Sequence, residues 1–243
     1  MKAVILAAGV GKRLHPLTQH RPKCLIEIGG RSLLARYFDA LAKVNIRNIT
    51  ILVGYKHDMI REAVGTFPGS HSVQFIMNED YRRGSIGSLW RAREVLDDAA
   101  VIMDADVLFH QAILDRLVQS THPNALLMDE SVQQTTEECM VVVRNNRVVA
   151  LTKRMPTPYD VAGEGVGFLK VAKAEGPNLI KAVEGRINQG HLDMEYEDAL
   201  EEFFQSTAVG YETIGGLPWV EIDFPEDVQH AQNDVLPKLQ QDV

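Results

Sequence analysis

The chain has little cysteine, a deficit of basic residues and no long apolar run. Its two cysteines, Cys24 and Cys139, lie far apart without ligand-like spacing, which argues against a disulfide scaffold and a structural zinc site. No apolar run approaches the ~20 residues that cross a bilayer, so no membrane insertion is expected. The opening Met1–Ala8 lacks the basic region and cleavage pattern of a secretory signal. These absences together point to a cytoplasmic protein. Acids outnumber bases 33 to 25, a formal net charge of −8, which argues against nucleic acid as the main partner. Internal repeats and low-complexity linkers are also missing, and nothing divides the 243 residues cleanly. One domain spanning 1–243 is expected, in two halves over 1–120 and 121–243.

What is present is ordinary globular composition, 45% hydrophobic and 24% charged, enough to bury a core. The charge is unevenly placed. Residues 1–26 carry five bases (Lys2, Lys12, Arg13, Arg21, Lys23) and no acid, whereas residues 195–243 carry twelve acids and one base, Lys238. A basic island in an acidic chain suits an anion held at one place.

Apolar runs at Lys2–Ala7, Asn48–Val53, Val73–Met77 and Ala100–Met103 read as strands. Helical patterns at Leu33–Val44, capped by Ser32, at His57–Val64 and at Ser88–Leu96 separate them. Strands apolar throughout and alternating with helices predict an α/β fold, a parallel sheet covered on both faces. Ligands then bind outside the carboxyl ends of the strands. The basic loop after the first strand and Asp104/Asp106 after the fourth both fall there. The second half is more mixed. A hairpin is expected through Arg144-Asn145-Asn146-Arg147, a strand at Val166–Val171, helices near Asn178–Ile187 and Tyr196–Phe204, and a final helix opened by Pro225.

The richest segment runs Leu6-Ala7-Ala8-Gly9-Val10-Gly11-Lys12-Arg13-Leu14-His15-Pro16-Leu17-Thr18, with Arg21-Pro22-Lys23-Cys24-Leu25 after it. It is not a P-loop, because Leu6 and Arg13 stand where Gly and Ser/Thr are needed. It is not a dinucleotide fingerprint either, because Leu14 replaces the third glycine and His15-Pro16 blocks the helix. What remains is a loop of small residues whose backbone N–H groups can approach an anion, flanked by a guanidinium and an ammonium.

This segment resembles the signature of the sugar-phosphate and phosphoalcohol nucleotidylyltransferases, L-A-A-G-x-G-x-R-x-x-P-L-T followed by P-K-x-L. The resemblance implies the nucleotide-diphospho-sugar transferase fold, a Rossmann-like, mostly parallel mixed sheet with a smaller acceptor-binding lobe. It implies that Leu6, Ala7, Ala8, Gly9 and Gly11 bind the nucleotide and that Arg13 and Lys23 are catalytic. Asp106 and Asp223 match the family's two metal aspartates, which implies Mg2+ as cofactor. Alone, Asp223 reads as a cap for the helix opened by Pro225, and Asp104 as a cap or an outer support. Gly84, Gly87 and Ser88 match the turn that contacts the nucleobase.

For the acceptor, sugar-activating relatives usually carry Glu-Lys-Pro where this chain has Thr152-Lys153-Arg154-Met155-Pro156, and Asn-Ala-Gly where it has Gly163-Glu164-Gly165. These departures favour the small cytidylyltransferases that activate phosphocholine, 2-aminoethylphosphonate or inositol phosphate. Lys153, Glu164, Gly165, Glu195, Tyr196 and Trp219 are the expected acceptor residues. Aromatics beside acids suit a cationic headgroup, although Glu195 equally complements a helix dipole and Trp219 equally suits the core. The partners expected are a nucleoside triphosphate, CTP first, and a phosphorylated small molecule, with homo-oligomerisation left open. A UTP- or dTTP-dependent sugar-1-phosphate nucleotidylyltransferase is the alternative, and a regulatory module that binds nucleotide without turnover is a third.

Overall fold

The computed structural model describes residues 1–134, 138–155 and 157–241. In chain order the first half holds β1 (Lys2–Ala7), the short hairpin β2 (Glu27–Ile28) and β3 (Arg31–Ser32), and α1 (Leu33–Lys43). It continues through β4 (Asn48–Val53), α2 (His57–Gly65), β5 (Ser72–Met77), α3 (Ile86–Arg91), β6 (Ala100–Asp104), β7 (Val107–Phe109) and α4 (Gln111–Gln119). The second half holds β8 (Ala125–Asp129), β9 (Met140–Arg144), β10 (Arg147–Thr152), β11 (Val161–Val171), α5 (Gly176–Asn188) and α6 (Tyr196–Ser206). It ends with β12 (Gly210–Thr213), β13 (Trp219–Glu221), α7 (Pro225–His230) and α8 (Leu236–Gln241).

Among the described residues, nine strands form one sheet whose main path runs β10-β9-β11-β6-β1-β4-β5. The β6-β1-β4-β5 portion is parallel. Strand β11 then pairs antiparallel with β6, β8 and β9, and joins the mixed half to it. Ala3, Val4 and Ile5 are fully buried, as strands sandwiched between helices must be. One face packs α1 through Leu34, Tyr37, Phe38 and Leu41. The opposite face packs α3, α5 and α6 through Leu89, Leu179, Leu200 and Phe203. Ser32 caps α1, its hydroxyl accepting from Ala35 N at 3.2 Å. Asn145 and Asn146 turn the β9–β10 hairpin at φ 51° and 56°, the left-handed region that asparagine tolerates best after glycine.

Three local expectations change. Helix α3 starts at Ile86, so Ser88 is buried within it rather than opening it. Strand β11 reaches back to Val161 and takes Gly163-Glu164-Gly165 into the sheet, because a register shift lets it exchange partners between β9 and β8. The final helix is interrupted by a π turn at Ala231–Val235. The division at 120/121 does not coincide with a packing boundary. β13 pairs with β7, and Ile222, Ala231 and Val235 pack on Leu14, Ile28 and Leu33. Thus the chain's acidic end returns to its basic beginning.

Candidate active site

A cleft of about 1420 Å³ opens along the carboxyl ends of β1 and β6 and extends over the mixed half of the sheet. Its floor at one end is the loop after β1. Tyr55 N donates to Ala8 O at 3.0 Å, and the one proton of the Tyr55 hydroxyl is shared between the carbonyls of Thr18 and Gln19, each 2.9 Å away. Gly11 sits at φ 65° and accepts from Thr18 Oγ1 at 2.7 Å through its carbonyl. A Cβ there would press on Thr18 Cγ2 at 3.2 Å and Lys23 Cβ at 3.4 Å, so glycine serves both the turn and the approach of Lys23. Leu6, Ala7, Ala8, Gly9, Gly11, Arg13 and Lys23 all line this end.

Pro22 leads into a short 3-10 turn, Lys23–Leu25, that turns Lys23 inward. Its Nζ lies 2.7 Å from Asp106 Oδ2 and 2.6 Å from Asp223 Oδ1. Arg13 reaches Asp223 Oδ2 at 2.6 Å and lies 5.0 Å from the Phe224 ring centroid. Burial by itself would lower the Lys23 pKa, but the charges of Asp106, Asp223 and Glu221 together raise it above its ordinary value. Lys23 therefore stays an ammonium.

Asp106 and Asp223, far apart in sequence, come together with Glu221. One carboxylate oxygen from each of the three lies within 4.8 Å of the others. Asp106 Oδ1 is buried and has no hydrogen-bond partner, a costly arrangement for a carboxylate oxygen unless a cation meets it. Three hard oxygen donors and one orphaned lone pair fit Mg2+ better than a soft metal. The capping role read for Asp223 belongs to Asp227, whose carboxylate accepts from Asp223 N at 2.8 Å and Phe224 N at 2.7 Å. Asp104 is no cap either. Its Oδ2 accepts from the Tyr196 hydroxyl at 2.9 Å, and burial followed by Glu197 and Asp106 raises its pKa well above the ordinary range.

The turn read as base-contacting is locked from behind. A Cβ on Gly84 would lie 1.9 Å from Met194 O, so only glycine passes there. Gly84 N donates to Leu192 O at 3.1 Å and Ile86 N to Met194 O at 3.3 Å. A Cβ on Gly87 would meet Asn78 Nδ2 at 3.6 Å, an ordinary contact. The Ser88 hydroxyl accepts from Asn78 Nδ2 at 2.9 Å and so braces the turn. Arg83 is held by Asp193 through two bonds, 2.9 and 2.8 Å.

All six residues expected at the acceptor end line the same cleft, but they differ in what they offer. Lys153 sits after β10, its carbonyl accepting from Gln134 Nε2 at 2.6 Å; Pro156 in that segment lies outside the described residues. Gly165 lets β11 pass close to Leu151, 3.1 Å from a Cβ position. Burial, then Glu138 and Asp129, pushes the Glu164 carboxyl up to about 7. Trp219 donates from Nε1 to Asp129 Oδ2 at 2.7 Å. Glu195 accepts from Ser85 N at 3.2 Å. Tyr196 is corrected most, since it is 3% exposed with its hydroxyl spent on Asp104, and so forms wall rather than an open aromatic face.

The ligand-type residue missed from sequence is Glu221. Its signal was spacing, since residues i and i+2 of an extended segment point the same way and Glu221 stands two before Asp223. Glu197 belongs to the acidic stretch Glu195-Tyr196-Glu197-Asp198 already placed near the acceptor, whereas Asp129 gave no signal, because only packing brings it to the cleft.

Residues 3–153 match the family model described as the MobA-like NTP transferase domain. The chain is 27% identical over 254 residues to the CMP-5'-(3-aminopropyl)phosphonate synthase of Streptomyces rubellomurinus, covering 99% of this chain and 40% of that protein. It is 24% identical over 242 residues to the bifunctional protein GlmU of Methanococcus maripaludis, covering 98% and 55%. The chain thus spans about half the length of these curated relatives. Among solved structures, the inositol-1-phosphate CTP transferase from T. maritima superposes with a TM-score of 0.80 at 20% identity, over 100% of this chain and 97% of that one. This likeness establishes the fold, a mostly parallel mixed sheet between helices.

Proposed function

This chain belongs to the MobA-like NTP transferase family, and from that footing we propose that it transfers a cytidylyl group from CTP to a phosphorylated small alcohol. The observation that carries the reading is the convergence of Arg13, Lys23, Asp106, Glu221 and Asp223 beside a glycine-containing loop. Cations for phosphate and carboxylates for a metal, side by side, serve nucleotidyl transfer. The choice of CTP is supported by a relative named for a CMP-phosphonate product and a fold neighbour named for CTP transfer.

The triphosphate lies against Ala7–Gly11, with Arg13 binding its phosphates through a planar fork and Lys23 as a point charge. Asp106, Asp223 and Glu221 would hold Mg2+, which when bound neutralises phosphate charge and organises the triphosphate for substitution. The acceptor enters over β11, with Lys153 steadying its phosphate and Glu164 and Trp219 bordering the rest. An acceptor phosphate oxygen forms a bond to the α-phosphorus as the bond from that phosphorus to the bridging oxygen breaks. The electron pair leaves with pyrophosphate. A phosphate dianion carries no proton on the attacking oxygen, so the residues need only position and neutralise.

A matrix of CTP, UTP and dTTP against phosphocholine, 2-aminoethylphosphonate, inositol phosphate and glucose 1-phosphate, scored by pyrophosphate release, tests the reading. Release with CTP and a phosphoalcohol or phosphonate is expected. Release only with UTP or dTTP and the sugar phosphate would assign the sugar reaction instead, and CTP binding without release from any acceptor would leave a regulatory module.

A further inference from the structure

Behind the three carboxylates lies a hydroxyl that the mechanism does not use. Tyr37 belongs to α1 and is fully buried, its ring edge-on to Phe109 and Phe168 at centroid distances of 5.2 and 5.9 Å. A buried phenol requires partners for its hydroxyl, and these partners are specific. Tyr37 Oη donates to Asp104 O at 2.6 Å and accepts from Val107 N at 3.1 Å. It therefore bridges the two ends of the short segment that carries Asp106.

The same segment is held from the other side of the sheet. Along β6, Val101 and Met103 face the α1 layer, whereas Ala100 and Ile102 face the α6 layer. This alternation places Asp104 on the α6 side, where Tyr196 donates to its carboxylate at 2.9 Å. Gly167 closes that pocket, since a Cβ there would lie 2.7 Å from Asp104 Oδ2. Two buried phenols from opposite layers thus grip residues 104 and 107.

We propose that Tyr37 is a positioning residue for the divalent-ion site, its hydroxyl fixing the Asp104–Val107 turn so that Asp106 presents its carboxylate beside Asp223 and Glu221. Tyr196 fixes the turn from the opposite layer. The inference rests on the reading of Asp106 as a metal carboxylate. A ligand carboxylate needs its place held to within a fraction of an ångström, and supports of this kind typically change metal affinity by about 10- to 100-fold. A rigid ring packed between two others holds such a place better than a solvent-exposed tie.

The test is Mn2+ binding to the full chain with CTP present, followed by the electron paramagnetic resonance signal of free Mn2+. Tyr37→Phe keeps the ring and removes the bridge, and is expected to weaken Mn2+ by about tenfold or more. Phe203→Leu, a change at a fully buried α6 residue that does not line the cleft, controls for lost packing. It is expected to lower the melting temperature and leave Mn2+ affinity within about twofold. If Tyr37→Phe does not fold, Tyr196→Phe carries the same expectation through the second hydroxyl. Wild-type affinity in the tyrosine variant, or equal weakening by Phe203→Leu, overturns the positioning role while leaving the metal reading intact. Failure of the wild-type protein to bind Mn2+ removes the metal reading and the positioning role with it.

Discussion

The two ends of the cleft are built on different principles. At the phosphate end, every expected charge is paired at short range, with Lys23 between Asp106 and Asp223 and Arg13 on Asp223. At the acceptor end, carboxylates crowd around Glu164. Burial, then the charges of Glu138 and Asp129, raises the Glu164 pKa, and Asp129 is further tied to Trp219. The first end is a fixed electrostatic device made largely of local motifs. The second is assembled from strands that meet only in the folded sheet, and its chemistry is set by burial. The contrast teaches that one cleft can have a legible half and a concealed half.

The strongest way to break that contrast is at the phosphate end. Lys23→Ala and Asp106→Asn are each expected to reduce turnover by ~10²–10³, with circular dichroism unchanged. Pyrophosphate release at wild-type rates in either variant would show that the paired end is not the reacting end. Effects at the acceptor end are smaller and of another kind. Lys153→Ala and Trp219→Phe are expected to raise the KM for the acceptor by up to about tenfold and leave the KM for CTP alone. Equal changes in both constants would mean that the two ends do not divide the ligands between them.

A pH profile sharpens the comparison further. The Glu164 carboxyl moves from 4.5 to about 7 on folding, so between these values the folded chain holds more protons than the unfolded one. Stability from this group is complete below the unfolded value and is lost as the pH rises through the folded one. Glu164→Gln should raise the melting temperature more at pH 8 than at pH 4.5 and flatten the profile between them. An identical shift at both pH values would exclude Glu164 as the titrating group. The smallest effect is expected at the exposed Arg83–Asp193 pair, where Arg83→Ala should leave the melting temperature unchanged. A clear drop would show that the base-side turn depends on this pair rather than on the Gly84 and Ile86 backbone bonds.

Much of the phosphate end was legible because its residues are constrained locally. Gly11 answers to its own backbone angle, Pro22 sets the turn that carries Lys23, and the alternation of strand and helix puts the carboxyl ends of β1 and β6 at one sheet edge. Asp223 was ambiguous, since an acid before Pro225 reads equally as a cap, and only the contact of Asp227 with the Asp223 and Phe224 amides settles which acid caps. Tyr196 misled for the opposite reason. Its place at the start of a helix beside acids suggested an open aromatic, whereas the alternation of β6 buries it on Asp104.

By itself the sequence determined the alternating α/β layers and the glycine-containing basic loop, because periodicity and turn chemistry act over short stretches of chain, whereas the pairing of Asp106 with Asp223 was implied only by the family resemblance. The tertiary structure alone decided the third carboxylate, the orphaned oxygen of Asp106, the raised Glu164 and the grip of Tyr37 on residues 104 and 107. Each of these depends on which distant groups share a low-dielectric space, and that follows from packing rather than from neighbours along the chain.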